Sequence, residues 1–236
     1  MVYFTGDIHG CVAYIESFTR KTHLQKGDII VLLGDVGANY FSDERDRPLK
    51  NRLNGIGTTF LCIHGNHEMR PTDVPGYVET QWCGGKAWLQ PEYPNLIFAK
   101  DGEIYSMGGM RYLVIGGAYS VDKYYRLSRG WRWWPNEQPS PEIKAYVEQQ
   151  IKTAPFDIVL SHTCPFKYEP TEMFLPGLDQ STVDDSTEHW LDTIEESIQY
   201  KAWFCGHWHT DKHIDKMHFL FHSFESDEQF KGGFIQ

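Results

Sequence analysis

The 236-residue sequence lacks several features that would indicate a particular environment or partner. No apolar run approaches the roughly 20 residues that a membrane-spanning helix needs, so no membrane association is expected. The five cysteines include no Cys-x-x-Cys pair, which argues against a disulfide framework or a zinc knuckle. The chain also begins without a basic and apolar leader. Together these absences predict a cytoplasmic protein.

Positive charge is also scarce, since 22 lysines and arginines face 32 acidic residues, for a net charge of -10. This balance opposes broad electrostatic binding to nucleic acid, which is therefore a partner that the charge does not favour. One stretch, from Tyr119 to Trp134, is an exception, because it carries four cations and only one acid, Asp122. An acidic protein that concentrates cations in one aromatic-rich stretch is expected to use them on an anionic ligand.

The apolar pattern predicts a single α/β domain over residues 1–236, with two sheets packed face to face and flanked by helices. Short apolar runs that end near glycines indicate strands, and longer runs with helical spacing indicate helices. The central runs, separated by Gly-bearing turns, resemble hairpins. The predicted strands are Val2 to Thr5, Asp28 to Leu33, Thr58 to His64, Leu96 to Ala99, Glu103 to Met107, Arg111 to Ile115, Asp157 to Leu160, Tyr200 to Cys205 and Phe219 to Phe224.

Five short blocks follow predicted strand ends, where open α/β sheets place their ligands. They read GDIHG, GDVG, GNHE, SHTCP and GHWH, and start at residues 6, 34, 65, 161 and 206. Together they offer two carboxylates, one amide oxygen and four imidazoles: Asp7, His9, Asp35, Asn66, His162, His207 and His209. In extended backbone, the i, i+2 spacing within the first and last blocks would point both side chains the same way. This set is adequate for two divalent cations.

Mixed oxygen and nitrogen ligands suit manganese best, with iron, zinc or nickel as alternatives, whereas magnesium and calcium prefer oxygen alone. Two such ions can hold a hydroxide between them that attacks phosphorus while both ions stabilise the developing charge. Asp35, alone in its block, is the candidate bridging carboxylate. His67 is the candidate proton donor to the leaving group, with Asp73 or Glu68 as the residue that orients it. The predicted reaction is hydrolysis of a phosphate ester.

In order and content, the five blocks resemble the calcineurin-like metallophosphoesterase superfamily over residues 6–209. The resemblance implies a four-layer α/β/β/α sandwich with a dinuclear metal centre at the sheet edge. It further implies two ligand sets that share Asp35 and a catalytic role for His67. One set comprises Asp7, His9, Asp35 and His209, and the other comprises Asp35, Asn66, His162 and His207.

The first and third blocks are most similar to the serine/threonine protein phosphatase branch, including its small phage and bacterial members. That branch carries phosphate-binding arginines after its second block and before its third, and this sequence has neither. Arg126 and Arg129 are candidate replacements, and Arg70 is a further candidate substrate contact. The stretch Ala118 to Pro139 either faces the substrate or packs its tryptophans on the sandwich.

Several substrates therefore stay open: a phosphorylated small molecule, a nucleotide or a phosphopeptide. The leading interpretation is a phosphomonoesterase or phosphodiesterase. A protein phosphatase is disfavoured by the missing arginines, and a nucleotide phosphodiesterase or nuclease is favoured by the aromatic and basic stretch. A protein-binding scaffold without activity ranks last, because His67 and all inferred ligands are present.

Overall fold

The computed structural model describes residues 1–232. Thirteen strands form two mixed sheets in this part of the chain. They are β1 (Val2–Thr5), β2 (Ile29–Leu32), β3 (Thr59–Cys62), β4 (Val78–Trp82), β5 (Gly85–Leu89), β6 (Leu96–Ala99), β7 (Ile104–Met107), β8 (Met110–Ile115), β9 (Ile158–Ser161), β10 (Ala202–Cys205), β11 (Lys212–Ile214), β12 (Met217–Phe219) and β13 (Glu225–Ser226). The helices are α1 (Ala13–Thr22), α2 (Arg47–Gly55), α3 (Lys123–Ser128), α4 (Pro141–Thr153) and α5 (Ser186–Ser197).

The first sheet has the strand order β13-β1-β2-β3-β6-β5-β4, and the second has the order β11-β12-β10-β9-β8-β7. Each sheet has a parallel centre, formed by β1, β2, β3 and β6 in the first and by β12, β10, β9 and β8 in the second. The outer strands pair antiparallel. Because parallel strands need crossover connections, their apolar runs are buried on both faces.

Three buried clusters define the layers of the sandwich. One lies between the sheets and includes Phe4 and Phe204, whose rings stack with centroids 4.2 Å apart. A second packs α1 and α2 against the first sheet, with Ile15 at its centre. A third packs α4 and α5 against the second sheet around residues such as Val147 and Leu191. The predicted four-layer α/β/β/α arrangement is therefore confirmed.

Two expectations about the strands are wrong, and one hairpin was not predicted. The run Phe219 to Phe224 does not form one strand, because β12 ends at Phe219 and β13 begins at Glu225. β6 and β7 do not form a hairpin, because β6 already has β3 and β5 as neighbours, and the chain crosses to the second sheet instead. The β4–β5 hairpin was not predicted, since the sequence Val-Glu-Thr-Gln-Trp of β4 is largely exposed and gives no buried run. The hairpin of β7 and β8 does occur at Gly108.

The five blocks lie at the carboxyl ends of β1, β2, β3, β9 and β10, and each begins within three residues of the last residue of its strand. Parallel strands place their carboxyl ends at one edge of a sheet, so the blocks of each sheet come together there. The fold thus brings segments up to about 200 residues apart in sequence to a single edge. Within residues 1–232 every helix falls short of the length and apolar character that crossing a membrane requires.

Candidate metal centre and active site

The five blocks meet at this edge. The backbone N–H of His207 donates to the Asp7 carboxylate at 2.9 Å, although the two residues are 200 positions apart. The His207 ring approaches the third block, with its Nδ1 atom 3.1 Å from Asn66 Oδ1. The structure therefore brings the first, third and fifth blocks into direct contact.

One group of donor atoms comes from Asp7, His9 and His209, which each offer an atom within 4.8 Å of the others. The Nε2 atoms of His9 and His209 lie 3.0 Å apart. Asp7 Oδ2 lies 3.3 Å from the His209 nitrogen and 3.9 Å from the His9 nitrogen. Burial lowers the pKa of His9, whereas the hydrogen bond to Asp7 raises the pKa of His209. Three side chains thus place a possible metal-ligand atom around one point.

A second group contains two acceptors that face each other. His162 Nδ1 lies 2.7 Å from the Leu33 carbonyl oxygen and donates to it, so in a neutral ring, the form that binds metal, Nε2 is an acceptor. The Asn66 amide donates to Ser120 Oγ at 2.9 Å, and Ser120 in turn donates to Glu137. Asn66 Oδ1 is thereby turned towards His162 Nε2, at 2.8 Å. Two lone pairs at this distance repel each other, unless a cation lies beside both.

Asp35 lies between the two groups. Its Oδ1 atom is 3.7 Å from His162 Nε2, and its Oδ2 atom is 3.9 Å from both His9 Nε2 and His67 Nδ1. Burial alone would raise the pKa of Asp35, but the neighbouring histidines and the N–H of His67 lower it below its ordinary value. A carboxylate that stays ionised and faces both groups is suited to bridge two cations.

Imidazoles must be neutral to bind a metal ion. Burial and the nearby His162 ring lower the pKa of His207 to about 3. The ring is therefore uncharged at neutral pH, and its Nδ1 atom faces Asn66. This electrostatic environment favours metal binding by His207 over proton binding.

Glycines make room for the ligands of neighbouring blocks. An added Cβ atom would lie 2.0–2.1 Å from a ligand atom in three cases: Gly34 against His162, Gly65 against Asp35, and Gly206 against Asp7. Real Cβ atoms essentially never come so close. Each of these glycines therefore permits a contact between two different blocks, which explains their position directly before or beside ligands.

The expectation of extended backbone within the first and last blocks is wrong. His9, His207 and His209 have φ angles of 42°, 64° and 49°, and Asp35 has 46°. These left-handed conformations are uncommon for residues with a side chain, and they cluster at functional sites. The ligands converge because the chain turns sharply after each strand, and not because of alternation along a strand.

His67 faces Asp122 and Arg126. Its Nε2 atom lies 3.3 Å from Asp122 Oδ1, and its Nδ1 atom lies 3.2 Å from Arg126 Nη1. Burial lowers the pKa of His67, but the hydrogen bond to Asp122 and the charge of Asp35 outweigh it, so the pKa is raised. The ring is 22% exposed, which leaves it accessible to a substrate.

The residues expected to orient His67 have other partners. Asp73 accepts a hydrogen bond from Asn136 at 2.7 Å. Glu68 accepts from the backbone N–H groups of Val36 and Gly65, and thereby joins the second and third blocks. Burial and the charge of Asp35 raise the pKa of Glu68 to about 8. Asp122 occupies the orienting position instead.

The three candidate arginines have different environments. Arg126 is buried beside His67, and its Nη2 atom donates to Tyr40 at 3.2 Å. Arg129 is exposed and lies over the Tyr125 ring at 5.2 Å. Arg70 forms an ion pair with Asp101 at 2.6 Å and donates to backbone carbonyls, away from the ligand groups. Of the three, the structure brings only Arg126 to His67.

The stretch from residue 118 to residue 139 packs partly on the sandwich and lines, with its other part, a cavity beside the candidate ligands. Trp134 is buried against Met69 and Val74, so part of the stretch packs on the sandwich. Trp131 is 52% exposed and, with Arg126, lines a cavity of about 660 Å³ that reaches His9 and His67. This basic cavity is lined by His9, Gly10, Gly37, Tyr40, Phe41, Arg45, His67, Arg126, Gly130, Trp131 and Arg132.

Sequence reasoning missed the residues that position others. Asp122, Ser120, Glu137 and Tyr40 hold His67, Asn66 or Arg126 by the contacts given above. The only available signal was Asp122, the single acid in a basic stretch. The other three lie outside the five blocks and become neighbours of the site only through the fold.

A separate group of possible ligands is formed by His213, His218 and Glu225. The Glu225 carboxylate lies 2.6 Å from the His213 ring and 2.9 Å from the His218 ring. A carboxylate between two imidazoles can satisfy both by hydrogen bonding. This group therefore lacks the facing acceptors that distinguish His162 and Asn66.

Comparison with known proteins agrees with this geometry. The family model described as calcineurin-like phosphoesterase matches residues 1–211. No curated protein sequence matches the chain. A solved structure of phosphopantetheinyl hydrolase from Mycobacterium tuberculosis is 13% identical, with a TM-score of 0.52, over 93% of this chain and 87% of the other. TT1561 of Thermus thermophilus is 15% identical, with a TM-score of 0.49, over 87% and 80% of the two chains.

At 13% identity the phosphopantetheinyl hydrolase structure shows a shared fold, and the family model covers most of the chain. All five ligand blocks lie within the matched residues. The chain therefore belongs to the calcineurin-like phosphoesterase family, and it is a metal-dependent phosphoric ester hydrolase.

Proposed function

We propose that the protein hydrolyses phosphate esters with two divalent cations held by the seven ligands. One ion would be bound by Asp7, His9, Asp35 and His209, and the other by Asp35, Asn66, His162 and His207. Manganese fits this mixed ligand set best, with iron, zinc or nickel as alternatives. The two ions, when bound, supply a water of lowered pKa and neutralise charge on the phosphate group.

The observation that carries this proposal is the pair of facing acceptors at His162 Nε2 and Asn66 Oδ1, 2.8 Å apart. The Leu33 carbonyl and Ser120 fix the two side chains in this orientation. Such outer partners fix the orientation and tautomer of metal ligands in known sites. Without a cation, the arrangement would cost free energy, because two buried lone pairs would face each other.

We assign the proton donor for the leaving oxygen to His67. Its pKa is raised despite burial, because Asp122 and Asp35 stabilise the protonated ring. The ring is exposed enough to contact a substrate, and Asp122 holds Nε2 from the side. Asp122 is thus a positioning residue, because the nearest contact of its carboxylate is with His67. One proton-transfer group of this kind contributes about 10²–10⁴ in rate.

Arg126 is the proposed phosphate contact. In the protein phosphatase branch one arginine follows the second block and another precedes the third. Here the corresponding positions hold Asn39 and His64. Arg126 comes from α3 and presents a guanidinium that is held by Tyr40 and by the Arg132 carbonyl. A planar guanidinium suits a phosphate oxygen pair, and its fixed orientation lowers the entropic cost of binding.

A nucleotide phosphodiesterase is the second candidate function. The basic cavity offers Arg45, Arg126 and Arg132 together with exposed aromatic rings. Trp131 is 52% exposed there and can stack on a base. This cavity favours a planar anionic substrate and keeps the diester reaction open beside the monoester reaction.

The test combines metal analysis with two model substrates. Purified protein would be assayed for bound metal and for hydrolysis of p-nitrophenyl phosphate and bis-p-nitrophenyl phosphate. We expect two ions per chain, turnover that is lost with a chelator, and recovery on adding manganese. The preferred substrate distinguishes monoester from diester hydrolysis. Failure to hydrolyse either compound with both ions bound would contradict the proposed function in favour of a scaffold.

A further inference from the structure

A second cavity of about 500 Å³ opens beside the metal ligands and differs in character from the basic cavity. His67 lines both cavities, and Asp35, Asn66, His207 and His209 line only this second one. Its remaining walls are mostly apolar, so we call it the apolar cavity. The residues that define these walls are Val121, Phe166, Phe174, Leu175, Leu178 and Trp208.

The apolar wall begins within a ligand block. Trp208 lies between His207 and His209 in sequence, and the ring of Phe174 stacks on it with centroids 5.8 Å apart. The segment that supplies Phe174 connects β9 to α5 through short turns. It leaves Leu175 53% exposed. Exposed apolar surface beside a catalytic centre is costly in water and commonly marks a binding site.

The charge of the apolar cavity excludes a second anionic group. Besides the metal ligands and His67, its ionisable lining residues are the acids Asp122, Glu169 and Asp185, and no lysine or arginine is among the described residues that line it. Burial and neighbouring acids raise the pKa of Glu169 to about 8, so this side chain is mostly uncharged at neutral pH. A phosphate, sulfate or carboxylate would meet repulsion here, whereas an uncharged apolar group would not.

We infer that the apolar cavity binds the alcohol part of the substrate, and that the substrate is a phosphate ester of an uncharged apolar alcohol. This inference rests on the proposed function, because it takes the phosphorus to lie at the metal ligands. The phosphate would face Arg126 and His67, and the alcohol would extend along Trp208 and Phe174. Apolar burial then contributes to kcat/KM in proportion to the area removed from water.

A series of alkyl phosphates tests this inference, because methyl, butyl and hexyl phosphate differ in buried area but hardly in leaving-group reactivity. If the wild type prefers diesters, the matching alkyl p-nitrophenyl diesters replace them. Each methylene that becomes buried should raise kcat/KM about fourfold. Hexyl phosphate, with two more methylenes, should therefore exceed butyl phosphate about 15-fold. Phenyl and 2-naphthyl phosphate, compared in the same way, show whether aromatic or aliphatic alcohols fit better.

Two matched variants assign the effect to this cavity. Leu175→Asp places a charge in the apolar wall, and Leu127→Asp places one on α3 at a residue that is similarly exposed, 48% against 53%, but does not line the cavity. We expect Leu175→Asp to abolish the increase in kcat/KM from butyl to hexyl phosphate. Leu127→Asp should retain the increase.

The outcomes separate this inference from the proposed function. Equal kcat/KM across the series, in a wild type that hydrolyses p-nitrophenyl phosphate, would overturn the inference and leave the proposed function intact. An equal loss of chain-length dependence in both leucine variants would overturn the assignment to this cavity. No hydrolysis of any ester with metal bound would instead overturn the proposed function.

Discussion

Replacing Asp122 with asparagine removes the carboxylate that faces His67 and keeps nearly the same side-chain volume. Asp122 Oδ1 lies 3.3 Å from His67 Nε2, and its other oxygen lies 3.6 Å from Arg126 Nη1. Neither neighbour is a proposed metal ligand, so we expect the variant to keep its metal content. Turnover should fall, because the ring loses the negative charge that stabilises its protonated form.

The expected loss follows from the strength of the contact. The contact is an ion pair at 3.3 Å without ideal hydrogen-bond geometry, and Asp122 is 30% exposed, so its contribution should lie near the lower end of the about 1.5–3 kcal/mol given by a bond to a charged group. Since about 1.4 kcal/mol corresponds to a factor of ten, Asp122→Asn should lower kcat about 10- to 30-fold. His67→Ala should leave metal content largely intact and lower kcat about 10²–10⁴-fold, because it removes the proton-transfer group itself.

The assay compares kcat for p-nitrophenyl and methyl phosphate in the wild type, both single variants and the double variant. The losses should be larger for methyl phosphate, because its leaving group needs the proton more. The double variant should match His67→Ala within about threefold, since Asp122 acts through His67. An additional tenfold loss in the double variant, or metal loss in Asp122→Asn, would refute this reasoning.

Three further predictions concern the ligands and the core. Asp35→Asn should empty at least one cation position in metal analysis, because it neutralises the proposed bridging anion; retention of both ions would rule out bridging. Gly65→Ala should also lose metal, since its Cβ would lie 2.0 Å from Asp35 Oδ1, whereas Gly55→Ala, with no atom within 4 Å, should not. Burial raises the pKa of Glu188 in the folded protein to about 7, against 4.5 for the free side chain. Its contribution to the free energy of unfolding is therefore full below about pH 4.5 and is lost as the pH rises through 7. Glu188→Gln should therefore match the wild type in denaturant unfolding at pH 5 and exceed it by about 2–3 kcal/mol at pH 8.5; an equal difference at both pH values would contradict this.

Much of the fold follows from local pattern. The apolar runs that became β1, β2, β3, β9 and β10 are short, continuous and followed by glycine or by a ligand block, which identifies buried parallel strands. Ser140 followed by proline predicts the start of α4, and its side chain does accept a hydrogen bond from the Ile143 N–H. These signals are local, so a single sequence carries them.

The β4–β5 hairpin shows where local pattern fails. Its strands lie at the edge of the first sheet and carry polar, exposed residues such as Glu79 and Gln81. The two-residue turn has positive φ angles of 46° at Cys83 and 88° at Gly84, as in a type I′ turn, but cysteine replaces the asparagine or aspartate that usually marks the first position. Edge strands need little burial, and their pairing depends on a neighbouring strand that the sequence alone does not identify.

The site divides in the same way. Residue types and strand ends predict the seven ligands as candidates, and the structure brings them together. The partner of His67 could not be deduced, because Asp122 is 55 positions away and approaches only when α3 packs over the edge. Arg126 could be proposed from charge, but its contact with His67 and its separation from Arg129 depend on which face of α3 points inward.

Anomalous diffraction from crystals of the protein grown or soaked with manganese would locate the two proposed cations directly. We predict two anomalous peaks, one on each side of the Asp35 carboxylate. One should lie beside Asp7, His9 and His209, and the other beside Asn66, His162 and His207. A peak beside His213, His218 and Glu225 would be distinguished from these two by its position. A crystal that is saturated with manganese and shows no peak beside Asp35 would contradict the account.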